Sequence, residues 1–163
     1  MTEKETYLAE KLRDYIETTR NITSPGERQG FFLDLVRDFL GLRPDDFKLV
    51  SEVYAGRRYD LLGNLVFAFE GNLHWQIKES ELRLHQYMAD LKSRKPEADY
   101  FSMVTDGLHF HVYLPQYNEA GDVVRLEKIY GLNLPSPMTI LEQATNDLGV
   151  ILSPFRPARP GHL

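Results

Sequence analysis

The chain has 163 residues, 42% hydrophobic and 12% aromatic, with a formal net charge of -5 and no cysteine. These values fit one globular domain rather than a disordered chain. They exclude a disulfide frame, a thiolate zinc site and a thiol nucleophile, and they argue against holding nucleic acid by bulk charge alone.

"TYLAEKLRDYIETT" places Leu8, Leu12, Tyr15 and Ile16 on one helical stripe. No apolar run approaches the ~20 residues that span a bilayer, and so charged a start is not a signal peptide. A cytoplasmic protein with no membrane partner is expected. "SPGERQGFFLDLVRDFLG" predicts a second helix, with Ser24 as N-cap, Pro25 in the first turn, Glu27 closing a capping box and Gly41 ending it. "FKLVSEVY" reads as a strand and "AGRR" as a turn. "YDLL" opens a second strand that "GN" punctuates and "LVFAF" continues.

After "EGN", the segment "LHWQIKE" alternates strictly. Leu73, Trp75 and Ile77 take one face of an expected strand, and His74, Gln76 and Lys78 take the other. Leu65, Phe67, Phe69, Leu73, Trp75 and Ile77 are then expected to be buried against the helix carrying Phe32 and Leu35. From Ser80 the period turns helical. "DYFSMVT" and "LHFHVYL" flank Asp106-Gly107, a hairpin signal. "DVVRLEKIYGL" reads as a further strand, and Ser136-Pro137 opens a last helix. The order α–α–β–β–β–α–β–β–β–α gives the α/β class with a mixed α+β sheet flanked by helices. One domain over residues 1–152 is expected, followed by a Pro-rich tail or linker at 153–163.

The common phosphate-loop, nucleophile-elbow and zinc-peptidase motifs are absent. His109 and His111 alternate on one strand without an evident third metal ligand, which is more often polar surface than a metal site. The central stretch differs because several features agree. Asp60 begins one strand, Gln76-x-Lys78 lies on the expected next one, and a helix follows. Residues i and i+2 of a strand point the same way, so Gln76 and Lys78 can face one ion together. Phosphodiester hydrolysis uses hard oxygen ligands for Mg²⁺, a metal-activated water and a cation beside the developing charge.

In chain order the motifs are Glu27 in a helix, "GRRYD" (56–60), "QIK" (76–78), "HQY" (85–87) and "VTDGLHFHVY" (104–113). Over residues 24–114 this resembles the PD-(D/E)XK nuclease domains of restriction–modification enzymes. The resemblance implies a restriction-endonuclease-like core and a Mg²⁺-dependent DNA endonuclease, with Mn²⁺ as a substitute metal. It implies Asp60, the Gln76 amide oxygen and the Ile77 carbonyl as metal ligands, and Lys78 acting on the water or the transition state. Glu27 would help through a second metal or a bridging water. The implied partners are DNA and a methyltransferase or specificity subunit or domain, with a homodimer as an open arrangement.

Two positions depart from the pattern. Tyr59 stands where the motif has proline, and Gln76 where it has a carboxylate. A neutral amide binds Mg²⁺ less strongly than a carboxylate. A rival register, in which Glu70 of Glu70-Gly71-Asn72 supplies the acid, therefore stays open. So does a second function: the same fold kept without catalysis, as a DNA-binding or protein-docking module.

Overall fold

Helix α1 (Glu3–Arg20) starts where the Thr2 hydroxyl accepts the Glu5 N–H at 3.1 Å, and it buries Ala9, Leu12, Tyr15 and Thr19. Helix α2 (Pro25–Leu40) follows Ser24 at its N-cap and ends at Gly41, whose φ of 63° is the left-handed cap geometry. The Ser24 hydroxyl makes no capping bond, so the expected capping box with Glu27 does not form. The computed structural model describes residues 2–22, 24–71, 73–97, 99–134 and 140–157, with the side chains of His74 and Trp75 excepted.

Strands β1 (Leu49–Tyr54) and β2 (Arg57–Leu62) form a hairpin over Ala55-Gly56. Both turn residues have positive φ, 51° and 79°, which matches the right-handed twist of the flanking strands. Gly63-Asn64 does more than punctuate a strand. It reverses the chain into β3 (Leu65–Phe69), antiparallel to β2. Gly63 has φ 56°, and a Cβ there would lie 2.0 Å from the Arg156 carbonyl oxygen. Asn64 holds the same segment: its Nδ2 donates to the Pro154 carbonyl at 2.8 Å, and its Oδ1 accepts the Arg156 N–H at 2.6 Å. The first residues of the Pro-rich end are therefore docked on this turn.

The segment read as an alternating strand is instead the start of helix α3 (Leu73–Arg94). Leu73, Ile77, Leu84, Tyr87, Met88 and Leu91 recur at helical spacing, and they form one packed face. The seven residues of "LHWQIKE" satisfy both periods, but Leu, Gln, Lys and Glu are straight-chain helix formers, and one β-branched residue is too few to hold a strand. The element order is nonetheless the expected one, because the Gly63 turn divides one expected strand into two.

Strand β4 (Phe101–Thr105) then pairs parallel to β3, and β5 (His109–Tyr117) and β6 (Val123–Asn133) complete an antiparallel run. The six-stranded mixed sheet has the order β1-β2-β3-β4-β5-β6. Helix α4 (Leu141–Leu152) closes the described fold, and the expected opening at Ser136-Pro137 lies outside the described residues.

The sheet is buried on both faces near its centre. On one face Leu62, Leu65, Phe67, Met103, Phe110 and Val112 meet α1, α2 and α4. On the other, Tyr59, Leu61, Val66, Ala68, Val104 and Tyr113 meet α3. The expected burial thus holds for Leu65 and Phe67 against α2. Leu73 and Ile77 belong to the opposite core, and the Trp75 side chain lies outside the described residues. Among the described residues no helix is long and apolar enough to cross a membrane.

Gly63 is where backbone strain and close approach coincide. Gly63→Ala is expected to lower unfolding stability by about 1–3 kcal/mol, from left-handed strain on a non-glycine residue, and to release the 154–156 segment. Urea melts read the first effect, and faster cleavage near Arg156 in limited proteolysis reads the second.

Candidate functional site

Asp60 sits in the middle of β2 and is 1% exposed. It pairs with Ser51 on β1 and with Phe67 on β3, so its side chain takes the sheet face covered by α2. Its carboxylate accepts three side-chain donors. Ser51 Oγ donates at 2.6 Å and Arg58 Nε at 3.0 Å to one oxygen, and Gln29 Nε2 from α2 donates to the other. The β3 residues on the same face are Leu65, Phe67 and Phe69, all apolar.

The remaining expected site residues do not gather there. Gln76 and Lys78 are two positions apart on a helix, so they point about 200° apart rather than to one side. Gln76 is half-buried and Lys78 exposed, on the helix that covers the opposite sheet face from Asp60. The Ile77 carbonyl lies inside the helical hydrogen-bond ladder. Glu27 is exposed in the first turn of α2, and none of the three donors to Asp60 comes from it. Among the described residues no three His, Cys, Asp or Glu side chains form a group able to hold a metal ion.

Glu70 is buried just past the end of β3, where its N–H donates to the Thr105 carbonyl at 2.9 Å. One alternation step beyond Phe69 carries it to the α3 side, where its carboxylate accepts from Arg57 Nη1. Asp60 and Glu70 therefore lie on opposite faces. The rival register does not bring the two acids together either.

What does converge is a different part of the motif set. Arg57 and Tyr59 of "GRRYD" and Gln86 of "HQY" line one cavity of about 220 Å³ with Tyr54, Ala55 and Arg83. The cavity lies between the β1–β2 hairpin and α3. Tyr59 forms its base, stacked parallel on Tyr87 with ring centroids 4.0 Å apart. Burial raises the Tyr59 phenol above its ordinary pKa of 10.0, although Arg57 opposes the rise, so it stays a neutral donor. Tyr87 in turn donates to Glu52, which also accepts Arg94 Nη2 at 2.6 Å and fixes α3 against β1.

The "VTDG" turn is structural. Asp106 Oδ1 accepts the N–H groups of Leu108 and His109 at 2.9 and 2.8 Å, and Tyr15 of α1 donates to the Gly107 carbonyl. Arg28 of α2 donates to the Asp106 carbonyl at 3.4 Å and to the Ile22 carbonyl at 2.7 Å. The connection has three residues, Asp106 to Leu108, between Thr105 and His109. His109 Nδ1 lies 3.0 Å from Asp106 Oδ2, while the buried Nδ1 of His111 has no partner.

No family model, curated protein or solved structure matches the chain.

Sequence reasoning missed the partners of Asp60. Ser51 was within reach, because a two-residue Ala55-Gly56 turn fixes the pairing of residues 51 and 60. Arg58, two positions before Asp60, shares its face by alternation. Gln29 comes from tertiary docking of α2, and no local pattern marks it.

Two measurements follow from these environments. Asp60→Asn is expected to destabilise by about 1–3 kcal/mol in urea unfolding, since the new amide turns N–H groups toward donors that lose an acceptor. An Asp60 held for catalysis would instead leave stability unchanged or raised. Burial lowers the His111 pKa below its ordinary 6.5, with Lys128 adding to the effect. The unfolded chain then binds this proton more readily, so stability present above about pH 6.5 is lost as pH falls below it. Between about pH 7.5 and about pH 5.5, wild type should lose more stability than His111→Gln, while equal losses would assign the pH dependence to other groups.

Proposed function

We propose that the chain is a restriction-endonuclease-like module that binds DNA without cutting it, as one piece of a larger DNA-processing assembly. The fold reading is supported by the order α2–β1–β2–β3–α3–β4, with "GRRYD" running into the second strand, "HQY" on the helix after the third and "VTDG" at the end of β4. The observation that carries the non-cleaving reading is the environment of Asp60. Its carboxylate is taken up by Gln29, Ser51 and Arg58, and the β3 positions facing it are apolar.

Mg²⁺ requires about six oxygen ligands at near-octahedral geometry, several of them waters. Asp60 offers one buried carboxylate that already accepts three donors, and Glu70 is bound to Arg57 on the far side of the sheet. Gln76, Ile77 and Lys78 belong to a helix rather than to a strand beside Asp60. This donor set does not fit the ion. A methyltransferase or specificity subunit is the kind of partner that such a module would serve.

Plasmid nicking with Mg²⁺ or Mn²⁺, on methylated and unmethylated DNA, is expected to give no cleavage above buffer. Fluorescence anisotropy with a short duplex in EDTA should show metal-independent binding that weakens with salt. Cleavage that disappears in a folded Asp60→Asn variant would restore the nuclease. Absence of both cleavage and DNA binding would move the module to protein docking.

A further inference from the structure

The cavity between the β1–β2 hairpin and α3 collects donors that the fold does not use. Arg57 commits Nη1 to Glu70, and Arg83 commits Nη2 to Glu79, its neighbour one helical turn earlier. Each guanidinium has five N–H donors in a planar fork, so most of them remain available. Tyr54, Tyr59 and Gln86 line the same space, and among the described residues no side-chain partner is seen for their hydroxyls or amide. Tyr59 is 2% exposed, so the wall it contributes to the cavity is otherwise closed to solvent.

We infer that this cavity is a binding site for a phosphate monoester. Residues bearing two guanidiniums, two phenols and one amide line one volume of about 220 Å³, room for a phosphate with part of its attached group. A carboxylate has two coplanar oxygens, whereas a phosphate monoester presents three oxygens and nearly two negative charges to donors arriving from several directions. The cation of Arg57 is fixed in place by its bond to buried Glu70, which pre-orders the fork before any ligand arrives. Ala55 at positive φ holds the hairpin corner that forms the cavity wall. A free nucleotide and the 5′-phosphate end of a DNA strand share this chemistry. The site stands whether or not the chain cuts DNA.

The test is isothermal calorimetry at low ionic strength with three probes: inorganic phosphate, a deoxynucleoside 5′-monophosphate and a short 5′-phosphorylated oligonucleotide beside its 5′-hydroxyl twin. Saturable binding at one site is expected, with preference among the probes identifying free nucleotide or strand end as the source. Arg83→Gln, at a half-buried helix position, should weaken binding about tenfold or more, the scale of one lost charge-assisted hydrogen bond. Lys78→Gln removes the same charge from the same helix outside the cavity and should leave binding unchanged. No saturable binding of any phosphate probe to folded wild type would overturn the site. Equal weakening by Arg83→Gln and Lys78→Gln would also overturn it, by assigning the attraction to diffuse charge. DNA nicking by wild type would sink the non-cleaving reading and leave this site untouched.

Discussion

Everything in this molecule hangs on β3 being covered on both faces. Leu65 and Phe67 point into the core shared with α1, α2 and α4, while Val66 and Ala68 point into the core shared with α3. A strand buried on both sides cannot have solvent as a neighbour, so the chain leaving it must return as a covering layer. That requirement makes Leu73 to Arg94 a helix and places β4 parallel beside β3. The position of every motif residue after Phe69 follows from this one demand.

The same two-sided burial gives Asp60 its character. A carboxylate that has left water loses hydration worth several kcal/mol and keeps its charge only where donors replace that water. Gln29, Ser51 and Arg58 supply those donors, and in doing so they tie α2, β1 and β2 to one point. Glu70 and Arg57 do the corresponding work on the other face, where α3 begins. Two acids close in sequence to the same strand pair thus serve separate layers. Alternation along β3 keeps them apart.

Much of the fold was legible because local chemistry and tertiary demand agree. Pro25 and Gly41 bound α2 where their backbone preferences put them, and Phe32, Leu35, Val36 and Phe39 fill the stripe their spacing implies. Disagreement arose over "LHWQIKE", where seven residues carry a period-two pattern and a helical one together. Only the continuing series Leu84, Tyr87, Met88 and Leu91 decides between them, since it extends the helical phase of Leu73 and Ile77. The site was less legible than the fold. Register across a hairpin can be worked out from its turn, which reaches Ser51, but the docking of Gln29 onto Asp60 depends on how α2 lies across the sheet. The cavity beside Tyr59 gathers β1, β2 and α3, and three-way junctions leave no periodic trace in a sequence.

The strand order carries a consequence for how the chain reaches this structure. Neighbours in the sheet are neighbours in sequence throughout, so four of the five strand pairings are antiparallel joints closed by short connections. Such pairings have little loop-closure entropy to overcome and can form early. The β3–β4 joint is different, because its partners are separated by the whole of α3. Two meanders, β1–β3 and β4–β6, can therefore assemble independently, and the sheet becomes one object only when α3 condenses across them. Of the five joints, that seam carries the largest loop-closure cost.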